Sequence, residues 1–240
     1  MLLLLVLINH MLLLSIDTSI RGCSVAVHQD SILLASYDLH TDRSSSSMLT
    51  TLMESAVSHA GFTLNDLDAI AVAKGPGSYT GLRVGVSSAK GLCFALDKPL
   101  IAINTLEAMA LQLNAFYPGH LLCPMIDARR MEVYAAVFDS TNNFVQETQA
   151  IIMDENSFKD LLLEHKIVFF GDGAAKCQKL LGDHPNAVFP KKEIRPSAVT
   201  IGELAAKAFE KEQFENVATF EPYYLKDFMS PPSKKTSLPA

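Results

Sequence analysis

The sequence contains no tryptophan and only four cysteines among its 240 residues. The cysteines at positions 23, 93, 123 and 177 form no CxxC pair, which excludes a zinc knuckle or a dithiol redox motif of the usual spacing. Isolated free thiols in a protein core are typical of a reducing compartment. We therefore expect four unpaired, buried cysteines.

Basic residues are also scarce, with 20 Lys and Arg against 26 Asp and Glu, a net charge of -6. This balance excludes a broad, autonomous nucleic-acid-binding surface, so any role on RNA should be local or indirect. The chain is 49% apolar, which is ample for a globular core.

No long uninterrupted hydrophobic run is present. The first ten residues, MLLLLVLINH, lack a basic start and are broken by Asn9 and His10, so they resemble neither a signal peptide nor a membrane span. We expect a cytoplasmic protein that does not bind membranes, with residues 1–10 as an extension outside the fold.

The first half, residues 11–112, predicts the element order βββαβαβα. Three short apolar runs separated by turn formers predict an antiparallel meander, and helical and strand-like patterns then alternate. This order is typical of a mixed sheet covered by helices. The predicted elements are strands at 12–16, 23–28, 32–39, 69–73 and 99–103, and helices at about 48–60, 77–96 and 106–113.

The second half predicts a smaller α/β lobe over residues 113–228, ending in a helix at 197–213 that returns against the body. Its strands are expected at 121–126, 132–138, 148–152 and 166–170, with a helix at 157–164. The proline-rich, polar residues 229–240 are predicted to form a mobile tail.

A glycine-rich stretch, KGPGSYTGLRVGVSSAKGL, runs from Lys74 to Leu92. It matches neither the Walker loop nor the dinucleotide-binding GxGxxG pattern. Gly77, Gly81, Gly85 and Ala89 are four residues apart, so on a helix they form one bare strip. Because each interior glycine costs about 1 kcal/mol, close packing must compensate, either on the chain's own sheet or on another molecule's helix.

Four ordered motifs, SIDTS…CSVAV, GPGSYTGLRVGVSSAKGL, IDARRMEVYAAVF and EPYYLK, resemble the TsaB (YeaZ) family over Met11 to Lys226. The resemblance implies a two-lobed α/β fold like that of actin and sugar kinases, with ribonuclease-H-like lobes and a reduced second lobe. This fold has the element order predicted above for the first half.

The resemblance also implies function and partners. TsaB is the non-catalytic partner of TsaD, which transfers a threonylcarbamoyl group to the adenosine beside the anticodon of tRNA, and TsaE joins the assembly. The resemblance implies that TsaB without TsaD forms a homodimer through the surface that otherwise binds TsaD. It also implies that tRNA contacts TsaB only within the complex. TsaB alone is expected to bind no cofactor, and ATP or ADP is expected only at the complex interface. With the bare strip, it predicts a partner interface of Met48, Leu49, Leu52, Met53, Gly77, Ser78, Tyr79, Thr80, Gly81, Leu82, Arg83, Gly85, Ser88 and Ala89.

One segment bears on catalysis. TsaD has an NHLEAH-like segment whose two histidines hold its metal, and the corresponding stretch here is NTLEAM, with Thr105 and Met109 in their places. Neither side chain replaces an imidazole ligand. We therefore expect no metal site and no catalysis by this chain alone.

Other polar groups keep two interpretations. Asp17, Thr18 and Ser19, and later Gly171, Asp172 and Gly173, follow strands where superfamily kinases bind phosphate, but they also suit ordinary turns. Asp127, Arg129 and Glu132 suit an ion-paired hairpin and, less well, an acid/base pair. Tyr223 and Tyr224 could contact RNA or dock on the body. The alternative function is a stand-alone enzyme, either a small-molecule kinase or ATPase, or a glycoprotease-type peptidase.

Overall fold

The computed structural model describes residues 10–41 and 45–225. The predicted tail at 229–240 and all but the last residue of the predicted extension lie outside these ranges. That last residue, His10, hydrogen-bonds through Nδ1 to Asp30 Oδ2 at 2.7 Å. The fold therefore begins at least one residue earlier than predicted.

The first lobe contains one five-stranded mixed sheet, with strand order β3-β2-β1-β4-β5. Its strands are β1 (Leu12–Asp17), β2 (Cys23–Gln29), β3 (Ile32–Leu39), β4 (Ala69–Gly75) and β5 (Leu100–Asn104). The β1, β2 and β3 strands form the predicted antiparallel meander, and β4 and β5 run parallel to β1.

Two long helices cover one face of this sheet. They are α1 (Ser45–His59) and α2 (Tyr79–Leu96), and a short α3 (Thr105–Leu111) follows β5. Leu14, Ile16 and Val25 point from the strands into the core under α1 and α2. Because side chains alternate along a strand, Leu13 and Ala71 face the opposite side of the sheet.

The second lobe repeats this topology, with strand order β10-β9-β6-β7-β8. Its elements are β6 (Leu121–Asp127), β7 (Glu132–Phe138), β8 (Phe144–Ile152), α4 (Lys159–Glu164), β9 (Ile167–Phe170), α5 (Ala174–Leu181) and β10 (Ala187–Val188). The sequence analysis missed β10 and did not delimit α5. The predicted reduction of this lobe lies in its helices, since α4 and α5 have 6 and 8 residues against 15 and 18 in α1 and α2.

The last helix, α6 (Ala198–Glu210), crosses back to the first lobe, as predicted. Ser197 caps it by accepting from Val199 N, and its Ile201 packs against Leu13 on the sheet face away from α1 and α2. The lobes are joined by a shared core around α3 that includes Leu106 and Phe138. Within the described ranges, no helix is long and apolar enough to cross a membrane.

Candidate functional site

The bare strip on α2 faces the turn between β1 and β2 of the same chain. A Cβ added at Gly77 would overlap the carbonyl oxygen of Ser19, and one at Gly81 that of Thr18. At Gly85 it would overlap Thr18 Oγ1, and this hydroxyl donates a 2.8 Å hydrogen bond to Gly81 O. The prediction that this strip receives a helix of another molecule is therefore wrong, because the chain's own backbone already occupies it.

The fourteen residues of the predicted partner interface divide into two groups. Five lie in the chain's own interior and present no surface to a partner: Leu49, Met53, Leu82, Gly85 and Ala89. The interface prediction was wrong for these residues because helical periodicity in one sequence does not show which face meets the sheet. The other nine are exposed or half-exposed: Met48, Leu52, Gly77, Ser78, Tyr79, Thr80, Gly81, Arg83 and Ser88.

A different side of α2 is open, and we call it the outward face. It includes Phe94 in the last turn of α2, which is 86% exposed, and Gly91, around which a Cβ would meet nothing within 4 Å. The sequence analysis missed Phe94. The signal was present, because Phe94 falls in the helical register of exposed polar positions. The outward face consists of Thr80, Arg83, Ser87, Gly91 and Phe94 of α2, which are exposed and lie three or four residues apart.

Asp17 ends β1 and holds the turn that fills the bare strip. Its Oδ1 accepts hydrogen bonds from Ser19 N at 2.8 Å and Ser19 Oγ at 2.6 Å, while its Oδ2 is buried with no partner. Burial raises the pKa of this carboxyl to about 6, and the charge of Asp38 adds to the effect. With Thr18 bonded to α2, both hydroxyls of the proposed phosphate loop are used inside the fold.

The glycine turn after β9 meets the hairpin between β6 and β7. Gly171 has a φ of +95°, and a Cβ there would overlap the carbonyl oxygen of Met125. Asp172 Oδ1 accepts from Asp127 N at 2.8 Å, and burial raises the pKa of Asp172. Gly173 N donates to Met125 O at 3.1 Å. The two predicted motifs of this lobe thus come together and bind each other.

Lys176 of α5 completes this contact, and the sequence analysis did not single it out. Its Nζ donates to Asp127 Oδ1 at 2.7 Å and to Glu132 O at 2.8 Å. Partial burial raises the pKa of Asp127, but the hydrogen bonds from Lys176 and Arg129 N and the Lys176 charge outweigh it, so the pKa is lowered. Asp127 belongs to an ion-paired hairpin, one of the two predicted alternatives.

The Thr and Met of the NTLEAM segment lie in the core between the lobes. Thr105 and Met109 are both fully buried, and a Cβ at Gly171 would lie 2.9 Å from Met109 Cε. Asn104 caps α3 and donates to Thr148 Oγ1 of the second lobe at 2.9 Å. Residues 10–41 and 45–225 contain no group of three or more His, Cys, Asp or Glu placed to hold a metal ion.

The C-terminal residues of the described chain lie across the start of α2. Tyr223 N donates to Lys74 O at 2.8 Å, and the rings of Tyr224 and Tyr79 are 4.8 Å apart. Lys90 Nζ donates to Phe220 O at 2.8 Å. These contacts support docking of Tyr223 and Tyr224 on the body, one of the two predicted roles.

Comparison with known proteins identifies relatives over most of the chain. The profile of the family described as "TsaD: tRNA N6-adenosine threonylcarbamoyltransferase" matches residues 39–237. The Escherichia coli protein named "tRNA threonylcarbamoyladenosine biosynthesis protein TsaB" is 30% identical over 226 residues, which cover 90% of this chain and 95% of the relative. A Bacillus subtilis protein of the same name is 30% identical over 72% of this chain and 76% of its own length.

A solved structure confirms the fold. The structure described as "YeaZ from Pseudomonas aeruginosa" superposes with a TM-score of 0.76 at 24% identity, over 90% of this chain and all of that one. The two mixed sheets with helices on their faces are the two-lobed, actin-like α/β architecture predicted from the sequence.

Proposed function

The chain belongs to the TsaB family of tRNA threonylcarbamoyladenosine biosynthesis proteins, and from that premise we propose that it is the non-catalytic subunit that binds and activates TsaD. In this proposal TsaD performs the transfer to tRNA and TsaE joins the assembly. The transfer takes place in the cytoplasm, and tRNA contacts the chain only within the complex.

The observation that carries the proposal is the outward face. Phe94 is 86% exposed, the highest exposure of any large apolar side chain among the described residues, and it lies beside an open glycine. Aromatic side chains of this kind are common anchors of protein interfaces. The other side of α2 is fixed on the sheet by Thr18 and Ser19, so the helix presents Phe94 in one orientation.

Two further features support a non-catalytic role. Thr105 and Met109 fill the core between the lobes where TsaD is expected to hold its metal, so an opening for a metal there would require repacking of buried side chains. The hydroxyls of the Asp17 turn are engaged in the fold, and this favours nucleotide binding at the complex interface over binding by the chain alone.

The test is a binding assay with purified TsaD. Replacing Phe94→Asp should weaken TsaD binding about 30-fold or more, as truncation of an interface anchor worth about 2 kcal/mol does. Phe116→Asp is the matched control, because Phe116 is also an apolar surface residue, 75% exposed, but lies between α3 and β6. Equal affinity of both variants for TsaD would contradict the assignment of the outward face.

A second assay addresses activity. Modification of tRNA should require this chain and TsaD together, and omission of either should abolish it. Modification by this chain without TsaD would contradict the non-catalytic role.

In the absence of TsaD, the protein should dimerise through Phe94, so sedimentation should show concentration-dependent association that Phe94→Asp removes.

A further inference from the structure

Two consecutive arginines form the tip of the hairpin between β6 and β7. Arg129 and Arg130 have φ angles of +70° and +48°, in the left-handed region. Both side chains are exposed, and neither forms an ion pair or hydrogen bond with any other part of the described chain. The tip itself is fixed, because Asp127 accepts from Arg129 N and is itself held by Lys176.

Arginine is a poor residue for this backbone. Glycine, asparagine and aspartate adopt the left-handed region most readily and are the residues usually found at such turns. Arg129 and Arg130 are therefore two consecutive departures from the usual preference for glycine, asparagine or aspartate at a positive φ. Such departures concentrate at functional sites, where the side chain is needed although the backbone disfavours it.

Two more cations lie at the same end of the second sheet. The strands β6, β9 and β10 are parallel, so their carboxyl ends lie on one edge. Lys191 and Lys192 follow β10 at that edge, and both are exposed and unpaired within residues 45–225. We call Arg129, Arg130, Lys191 and Lys192 the basic edge.

Two of the nearby carboxylates are paired with a cation, whereas Asp172, which accepts from Asp127 N, has no ion pair within the described residues. Asp127 is paired with Lys176 at 2.7 Å, and Glu193 with Arg195 at 2.9 Å. The exposed acidic residues at positions 154 and 155 follow β8, on the far side of the hairpin from β10. An extended anion would therefore run from the hairpin toward β10 and away from β8.

We propose that the basic edge binds the phosphate backbone of RNA. Four exposed cations without ion pairs at one end of the second sheet are notable in a chain with a net charge of -6, and arginine suits phosphate because its guanidinium donates two parallel hydrogen bonds. The inference rests on the proposed function in one respect, since it takes the tRNA of that reaction as the RNA. It adds the residues of this chain that contact the tRNA.

The experiment measures binding of unmodified tRNA to the complex with TsaD at several salt concentrations. The test variants are Arg129→Gln with Arg130→Gln, and Lys191→Gln with Lys192→Gln. The control removes two charges at the opposite end of the lobe, Lys166→Gln with Lys179→Gln, since Lys166 precedes β9 and Lys179 is in the last turn of α5.

Each test pair should lower the slope of log tRNA affinity against log salt concentration by the amount expected for the loss of about two phosphate contacts. The loss of affinity between about 50 and about 200 mM salt should then be about tenfold smaller than in the wild type. The control pair should leave the salt dependence unchanged. Equal salt dependence in all proteins would overturn the proposal.

A second variant separates binding from folding. Arg129→Gly with Arg130→Gly removes the same charges but suits the left-handed backbone, so its thermal midpoint should rise while tRNA affinity falls. A higher midpoint with wild-type tRNA affinity would also overturn the proposal.

Binding of TsaD is measured separately for every variant. If a test pair loses TsaD instead of tRNA, the basic edge is a protein contact and the RNA assignment is wrong. If wild-type protein does not bind TsaD, the proposed function fails, and the same variants are compared on the protein alone with tRNA at low salt. Weaker tRNA binding by the test pairs than by the control then supports the basic edge, and equal binding refutes it.

Discussion

Replacing Asp17→Asn should stabilise the protein at neutral and alkaline pH. Asp17 is 3% exposed, its Oδ2 has no partner within the described residues, and the nearby charge of Asp38 is also negative. A buried carboxylate without a cation favours its neutral form. Asparagine has nearly the same shape, keeps an oxygen to accept from Ser19 N, and carries no charge.

The magnitude follows from the pKa. Burial raises the pKa of Asp17 from 3.8 to about 6, a difference of about 2 units. At about 1.4 kcal/mol per unit, ionisation costs the folded state about 3 kcal/mol above pH 6. The folded state binds the proton more tightly than the unfolded state, so this group makes stability fall as pH rises from about 4 to about 6, and the loss is complete above that range.

The assay is urea unfolding followed by circular dichroism at about pH 4 and about pH 8. The new amide hydrogens of asparagine lack acceptors, which costs about 1–2 kcal/mol at both pH values and cancels in the comparison. The advantage of the Asp17→Asn variant over the wild type should therefore be about 2–3 kcal/mol larger at the higher pH. A pH-independent difference would refute the reasoning that Asp17 is ionised and unpaired in the folded protein.

Substitutions at four other positions provide three further tests. Gly85→Val should destabilise by about 3 kcal/mol because it collides with Thr18, whereas Gly91→Ala should stabilise by about 0.5–1 kcal/mol because its surroundings are open; urea midpoints distinguish them. Burial lowers the pKa of His28, whose ring nitrogens have no partner, so stability should fall as pH drops below about 6.5, and thermal melts of His28→Leu should show a weaker fall. Lys176→Met should expose the hairpin between β6 and β7, seen as faster amide exchange there, while Lys176→Arg should preserve its protection.

The sequence predicts the sheets better than the contacts between elements. Strand β3 was predicted at its observed bounds because the turn formers Asp30 and Ser31 directly precede it. Helix α6 was predicted from its apolar face and the Ser197 cap. The local signals that determine these elements are all within a few residues of them, so one sequence contains them in full.

The bare strip on α2 shows why the site was less predictable. Glycine spacing shows that some backbone approaches closely, but it does not show which one. The partner turned out to be Thr18 and Ser19, about sixty residues earlier in the chain, which approach α2 only once β1 and β4 have paired. Phe94 was missed for a different reason: it lies in register with the exposed Thr80, Arg83 and Ser87, but its apolar character favours assignment to the buried face.

In both lobes the first strand of the sheet ends in an aspartate that caps the following turn, but the pKa of this aspartate is raised in the first lobe and lowered in the second. Asp17 ends the first strand of one sheet and Asp127 the first strand of the other, and each accepts from the backbone N–H two residues later. In the first lobe, the glycines of α2 pack directly on the turn after Asp17, and burial raises the pKa of Asp17. In the second lobe, Lys176 bridges helix α5 and the hairpin, and the pKa of Asp127 is lowered. Asp127→Asn should therefore destabilise the protein at neutral pH and lose this effect on acidification, the reverse of Asp17→Asn, and two variants with the same sign would show that the lobes do not differ in this way.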